Sequence, residues 1–350
     1  MKTVRIAVLG HFGTGKHLLN GQTVKTTIIT DELCRQLGKS EVRKIDTHGG
    51  IKNLIRAPWQ VISALRSARN VVMMPAHNGL RVYGPLLAAA VRFFPNRKLH
   101  YVVIGGWLSD FLEKRSWLTR SLKRFSGIYV ETRTLKQSLE DKGFTNVELL
   151  PNCKKLSIQR PEELPNHQEP YKFCTFSRIM REKGIEDAVT AIREINESAG
   201  KTVCILDLYG QVAPDQTEWF SNLKAGFPEY IRYRGAVPFD QSVDTLKEYY
   251  ALLFPTHFFT EGIPGTVIDG YAAGVPVIAA KWQSFRDVID EGETGFGYPF
   301  GDYERFRQII AELLVNPDKV FALRRNCLQK AYDYLPESVV EVLVMKTESN

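Results

Sequence analysis

Along the first 150 residues, short apolar runs alternate with longer stretches whose apolar positions recur at helical spacing. Val4–Leu9, Val71–Met74, Tyr101–Ile104 and Ile128–Val130 are continuous hydrophobic runs, as expected of parallel strands covered on both faces. Between them, Ile28–Leu37, Ile55–Arg69, Pro85–Phe94 and Arg133–Lys142 read as helices. The segment from Pro151 to Pro170, PNCKKLSIQRPEELPNHQEP, is polar and proline-rich, the composition of a linker. Alternation then resumes, with strands at Lys172–Ser177, Thr202–Tyr209, Ile231–Arg234, Ala251–Phe254 and Val275–Ala279 and a helix at Gly184–Ser198. Such β–α alternation predicts an α/β chain of two Rossmann-like, doubly wound domains, residues 1–155 and 156–332. The tail from Asp333 to Asn350 is expected to pack back on the first domain as a helix. Ligands of such sheets sit beyond the carboxyl ends of the strands, so the two domains are expected to face a cleft that holds the active site.

Composition narrows the class. Hydrophobic residues make up 44% and charged residues 24% of the chain, as in soluble globular proteins. The apolar runs fall far short of a membrane span. The first run is too short for a signal peptide and reads as a strand. The five cysteines lie apart, with no C-x-x-C pair, which points to a reducing, cytoplasmic setting without structural zinc. The net charge of +7 is uneven. Residues 1–150 hold 24 Lys and Arg against 10 Asp and Glu, whereas the remainder holds 22 against 29. The first half therefore suits an anionic partner. No nucleic-acid motif accompanies the charge, so nucleic acid is not expected. Phe111 to Phe125 (FLEKRSWLTRSLKRF) reads as a basic amphipathic helix able to lie on an anionic membrane surface.

Three stretches could carry chemistry. The run FPTHFFTEGIPGTVIDGYAAGVPVIAA from Phe254 holds Glu261 and Asp269 around a small-residue turn, followed by a helix start at Gly265, Thr266 and Val267. A strand, a glycine turn and a helix N-terminus aim backbone N–H groups at a diphosphate. Ser177 to Gly184 (SRIMREKG) places Arg178 at a strand end and Lys183 and Gly184 before a helix, where two cations could neutralise a leaving diphosphate. Gly10 to Lys16 (GHFGTGK) has the spacing of a P-loop, through Gly13 and Gly15. His17 stands where the magnesium-binding hydroxyl belongs, and no helix follows at once. A glycine loop running on to Gly21 and Lys25 and reaching a ligand across the cleft fits better. His77 follows another strand and is a candidate to line that cleft.

Together these residues resemble the retaining glycosyltransferases of family 4, which have the GT-B fold. Arg178, Lys183 and Gly184 match the family's R-x4-K-G pattern. Glu261 and Asp269 match its E-x7-E pattern, with Asp in the second place. Pro255-Thr256, Gly274-Val275-Pro276, Asp290 to Gly295 and Pro151-Asn152 add to the likeness. The resemblance implies that Arg178 and Lys183 hold the donor diphosphate, with backbone contacts at Gly265, Thr266 and Val267. It implies that Glu261 binds the transferred sugar and that Asp269 binds the ribose. It also implies that the segment of Val237 receives the base. Many members carry a histidine after the strand that precedes the mid-domain crossover, where this chain follows Tyr101–Ile104 with Gly105-Gly106-Trp107. The chain has no Asp-x-Asp, so metal-independent transfer without a cofactor is expected. The expected partners are a nucleotide-sugar donor, a UDP-sugar by expectation, and a saccharide or lipid-linked oligosaccharide acceptor. The expected setting is surface polysaccharide assembly at the cytoplasmic face of the membrane. The alternatives are a sugar-nucleotide epimerase of the same fold and a P-loop-like nucleotide-binding protein.

Overall fold

A computed structural model of the chain describes residues 3–13, 21–49 and 55–348. It divides into two compact units, residues 1–155 with 334–350, and residues 156–333.

The first unit is built on six strands: β1 (Val4–Gly10), β2 (Val42–Asp46), β3 (Ala68–Met73), β4 (Lys98–Val102), β5 (Gly127–Val130) and β6 (Val147–Leu149). They pair in parallel in the order β2-β1-β3-β4-β5-β6. The order reverses between β1 and β3, which makes that pair the switch point where such sheets bind ligands. The central strands are sealed on both faces. Ala7, Leu9, Val71 and Met73 lie in one core cluster, and Ile6, Val8 and Val72 in another. The helix Pro336–Glu348 completes the second cluster, setting Val339, Val340, Leu343 and Val344 against Ile28, Ile29 and Leu33.

The second unit holds β7 (Tyr171–Phe176), β8 (Cys204–Tyr209), β9 (Ile231–Gly235), β10 (Ala251–Phe254), β11 (Val277–Ala280) and β12 (Gly295–Tyr298). Their parallel order is β12-β11-β10-β7-β8-β9. This is the Rossmann order, and its switch point lies between β7 and β10.

Several sequence expectations change. β2, β6 and β12 escape the apolar-run criterion. β2 and β6 lie at or near sheet edges and are partly exposed, and β12 is glycine-rich. The helix expected at Ile28 has already begun at Gly21. The helix expected from Pro85 begins at His77 and carries Pro85 in its interior. The helix expected through Arg69 ends at Ser67, because Ala68 and Arg69 already belong to β3.

The segment from Phe111 to Phe125 is not one amphipathic helix. It forms two short helices, Leu108–Glu113 and Ser116–Leu122. Leu118 and Leu122 are fully buried and Phe125 is 3% exposed, all within the core of the first unit. Leu118, Leu122 and Phe125 are spent on that core, whereas Trp117 is exposed.

Candidate active site

In the second unit, the segments bearing the expected residues leave the carboxyl ends of β7 and β10, the two strands that flank the switch point. Arg178 follows β7 and is exposed. Its loop is pinned to the loop after β8. Gly210 has φ +141°, and a Cβ there would fall 1.7 Å from the Ser177 carbonyl oxygen. The Ile179 N–H donates to Gln211 O at 3.0 Å. Gly184 is equally constrained, with φ +67° and a hypothetical Cβ only 1.8 Å from the Pro255 carbonyl oxygen. Only glycine allows this approach. It draws the turn bearing Lys183 against the start of the β10 loop.

Lys183 and Glu261 consequently meet in an ion pair, their side chains 18% and 17% exposed. Thr256 Oγ1 donates to Glu261 Oε1 at 3.4 Å and accepts from the Phe258 N–H at 3.2 Å. The Lys183 ammonium stands 4.9 Å from the Phe258 ring centroid and 5.6 Å from that of Phe254, within cation–π range. A diphosphate arriving here would compete with Glu261 for the ammonium. The pair therefore keeps both charges compensated while leaving the lysine exchangeable.

The helix Gly265–Ala272 follows. The N–H groups of Val267 and Ile268 already bond Pro264 O, at 3.1 and 3.3 Å. This corrects the expectation for Val267, whose amide is committed within the turn. Thr266 Oγ1 is buried without a hydrogen-bond partner, so Gly265 and Thr266 mark the receptive part of this helix start. Asp269 lies further along the helix and is 3% exposed. Val237 follows β9 and is half-buried. The start of its loop is tied down through Gly210, whose N–H donates to Gly235 O at 2.9 Å and whose carbonyl accepts from Tyr233 Oη at 2.9 Å. Beneath it, Asp207 binds Arg234 Nε at 2.9 Å and Tyr249 Oη at 2.8 Å. Sequence reading gave no role to Thr256, Phe258 or Gly210. Thr256 entered the sequence reading only through the Pro255-Thr256 likeness, and Phe258 and Gly210 carry no signal apart from the contacts they make.

In the first unit, the loops after β1 and β3 meet at its own switch point around a cavity of about 400 Å³, lined by His11, Gln22, His77, Asn78 and Tyr83 among others. His77 stacks on Trp107, with ring centroids 3.8 Å apart. Burial, followed by the charges of Arg81 and Arg115, lowers its pKa, so the imidazole is neutral near pH 7. His11 was missed in the sequence. Its Nδ1 lies 2.7 Å from Thr23 Oγ1 and its Nε2 lies 2.8 Å from His48 Nδ1. Burial and the His48 charge lower the His11 pKa as well.

Two expectations for this loop are corrected. Lys25 does not reach a ligand. Its ammonium is bonded to Glu131 at 2.6 Å, and the two side chains are 2% and 3% exposed. Gly21 belongs to a helix rather than to a glycine loop. Gly15, with Lys16 and His17 of the P-loop-like run, lies outside the described residues. Of the described part, Phe12 N–H donates to Asp46 Oδ1 at 3.0 Å, and Gly13 N–H points to the same oxygen at 3.4 Å. A carboxylate occupies the donors that a phosphate-binding loop would present, which counts against the P-loop alternative. Among the described residues, no group of three His, Cys, Asp or Glu side chains is placed to hold a metal ion, and no helix is long and apolar enough to cross a membrane.

Comparison with known proteins places this geometry. Residues 170–316 match the family model described as glycosyl transferases group 1. The chain is 27% identical over 114 residues to D-rhamnosyltransferase WbpZ of Pseudomonas aeruginosa, a stretch covering 32% of this chain and 30% of that protein. It is also 27% identical over 122 residues to D-inositol 3-phosphate glycosyltransferase 1 of Catenulispora acidiphila, covering 35% of this chain and 28% of that protein. The match thus spans less than a third of these curated relatives. The whole chain is similar to the crystal structure of Anabaena Alr3699/HepE in complex with UDP, with a TM-score of 0.75 at 13% identity, covering 99% of each chain. The chain therefore has the GT-B fold of two Rossmann-like domains, and residues 170–316 of its second unit match the model described as glycosyl transferases group 1.

Proposed function

We propose that this protein is a metal-independent, retaining glycosyltransferase of family 4. It would move a hexosyl or related sugar from a UDP-sugar to a saccharide acceptor, lipid-linked, during surface polysaccharide assembly at the cytoplasmic face of the membrane. The observation that carries this reading is the Lys183–Glu261 pair beside the start of helix Gly265–Ala272, with Arg178 on the neighbouring loop. Both loops leave the switch point of the domain that matches the glycosyl transferases group 1 model. The UDP bound to a relative of the same fold supports the choice of donor.

In this reading Arg178 and Lys183 take up the charge that develops on the departing diphosphate, work that a metal performs elsewhere. The Thr266 hydroxyl and the N–H groups of Gly265 and Thr266 hold a phosphate at the helix start. Glu261, once released from Lys183, accepts hydrogen bonds from sugar hydroxyls. Asp269 serves the ribose and the Val237 segment the base. The first unit takes the acceptor, through the cavity of His11 and His77. The departing phosphate helps to deprotonate the acceptor hydroxyl, and the protein mainly positions the reactants and stabilises charge.

The test is a thermal-shift and hydrolysis screen of UDP-, GDP-, ADP- and TDP-sugars. Stabilisation by one donor, lost in Arg178→Ala and Lys183→Ala, is expected. Stabilisation by Mg-ATP alone would overturn the reading.

A further inference from the structure

A cavity in the first unit lies at the opposite end of the sheet from the loops that follow β1 and β3. It measures about 670 Å³ and is lined by Arg5, Arg69, Arg97 and Lys98, with Glu41 and Glu348 as its carboxylates. Four cations thus face two anions.

The sheet register explains their convergence. β1 pairs Ile6 with Asn70 of β3, and β3 pairs Asn70 with Lys98 of β4. One residue earlier, the same register sets Arg5 and Arg69 side by side on β1 and β3, and Arg97, the residue just before β4, continues the row. Neighbouring strands are about 4.8 Å apart, and residues in register share a face. Like charges directly opposite one another are destabilising, so three arginines in a row form an arrangement that the sheet does not need for its own stability.

The surroundings relieve only part of this charge. Arg5 pairs with Glu348 at 2.6 Å, and Arg97 Nε donates to Leu65 O at 3.0 Å. Arg69, in the middle of the row, is exposed. Asn70, the next residue along β3, turns to the opposite face of the sheet and anchors the strand there. Asn70 is 4% exposed. It donates to Arg5 O and Thr347 O at 3.3 and 3.1 Å and accepts from His100 Nε2 at 3.2 Å. A row of guanidiniums lining a cavity has the chemistry of a phosphate site, since Arg presents paired donors to phosphate oxygens. The volume falls in the range of small-molecule sites, roughly 300–1,000 Å³.

We propose that this cavity is a second anion site, for a phosphate-bearing ligand, separate from the Arg178 and Lys183 loop. The same phosphate chemistry could be offered by a soluble phosphate ester or by a lipid headgroup.

The test uses the full chain carrying Arg178→Ala, which weakens the other phosphate-binding loop. Pyrophosphate is titrated calorimetrically at low and high salt. Binding of one pyrophosphate per chain is expected, weakened by salt and reduced tenfold or more by Arg69→Glu. Arg69→Lys should recover part of it. The same proteins are sedimented with phosphatidylglycerol and with phosphatidylcholine vesicles. Pelleting with phosphatidylglycerol alone, lost in Arg69→Glu, assigns the phosphate to a headgroup. Pyrophosphate binding without pelleting assigns it to a soluble ligand. If Arg69→Glu matches its parent toward both probes, the proposal fails. A variant that melts lower in phosphate-free buffer yet keeps full pyrophosphate affinity shows that the arginines serve only the docking of the C-terminal helix, and that outcome also overturns the site.

Discussion

Two lysines of this chain show how burial decides what an ion pair does. Lys25 and Glu131 are 2% and 3% exposed, whereas Lys183 and Glu261 are 18% and 17% exposed. Removing one partner of a buried pair strands the other charge and costs about 3–5 kcal/mol. Lys25→Met should therefore lower stability to urea by about that amount, and Lys25→Met/Glu131→Leu should regain much of it. Lys183→Met should cost far less stability and instead abolish stabilisation by a nucleotide-sugar. Equal losses of stability in the two single variants would contradict this division. Gly184 is a third kind of residue. Its positive φ and the 1.8 Å approach to Pro255 O leave no room for a methyl group, so Gly184→Ala must move the backbone. We expect a loss of about 2 kcal/mol or more, measured by urea denaturation, together with weakened donor binding.

At the scale of elements, the first sheet is laced by a polar chain across β3, β4 and β5. His100 Nε2 bonds Asn70 Oδ1 at 3.2 Å, and His100 Nδ1 lies 3.0 Å from Tyr129 Oη. Burial, and secondarily the charge of Lys98, holds the His100 pKa down to about 4. The unfolded chain binds a proton near pH 6.5, while the folded chain resists it until about pH 4. Stability contributed by neutral His100 is therefore complete above pH 6.5 and is lost as pH falls toward 4, by about 3 kcal/mol in all. His100→Gln should flatten that part of the stability–pH curve, and an unchanged slope would reject the assignment. The C-terminal helix is the other decisive element. Val339, Val340, Leu343 and Val344 lie in the core cluster formed with β1 and helix Gly21–Leu37. At roughly 1.5–3 kcal/mol for each buried side chain, deletion from Pro336 onward should unfold the first unit, as measured by loss of its cooperative thermal transition.

For the whole molecule, the proposed chemistry predicts turnover that survives chelation. Incubation with EDTA should leave donor hydrolysis unchanged, since Arg178 and Lys183 are assigned the charge neutralisation; strict dependence on added magnesium would refute this. The α/β class was legible because buried parallel strands are continuous apolar runs. β2, β6 and β12 were not, since edge exposure or glycine content removes that signature. The candidate residues after β7 and β10 were legible as types at fixed spacing. Their mutual contacts were not, because Lys183 and Glu261 are 78 positions apart.

The sequence by itself determined the alternation of strands and helices, the uneven charge and the presence of Arg178, Lys183 and Glu261 in glycine-marked loops, with Asp269 on the helix that follows. These are local properties, written in hydrophobic period and turn chemistry. Only the tertiary structure decided which partners they take. Strand order put the β7 and β10 loops together at a switch point. Packing turned Lys25 inward to Glu131 and spent Leu118, Leu122 and Phe125 on the core. Sheet register lined up Arg5, Arg69 and Arg97, three residues from distant parts of the chain. Register and burial arise from long-range pairing, and no short window of sequence contains them.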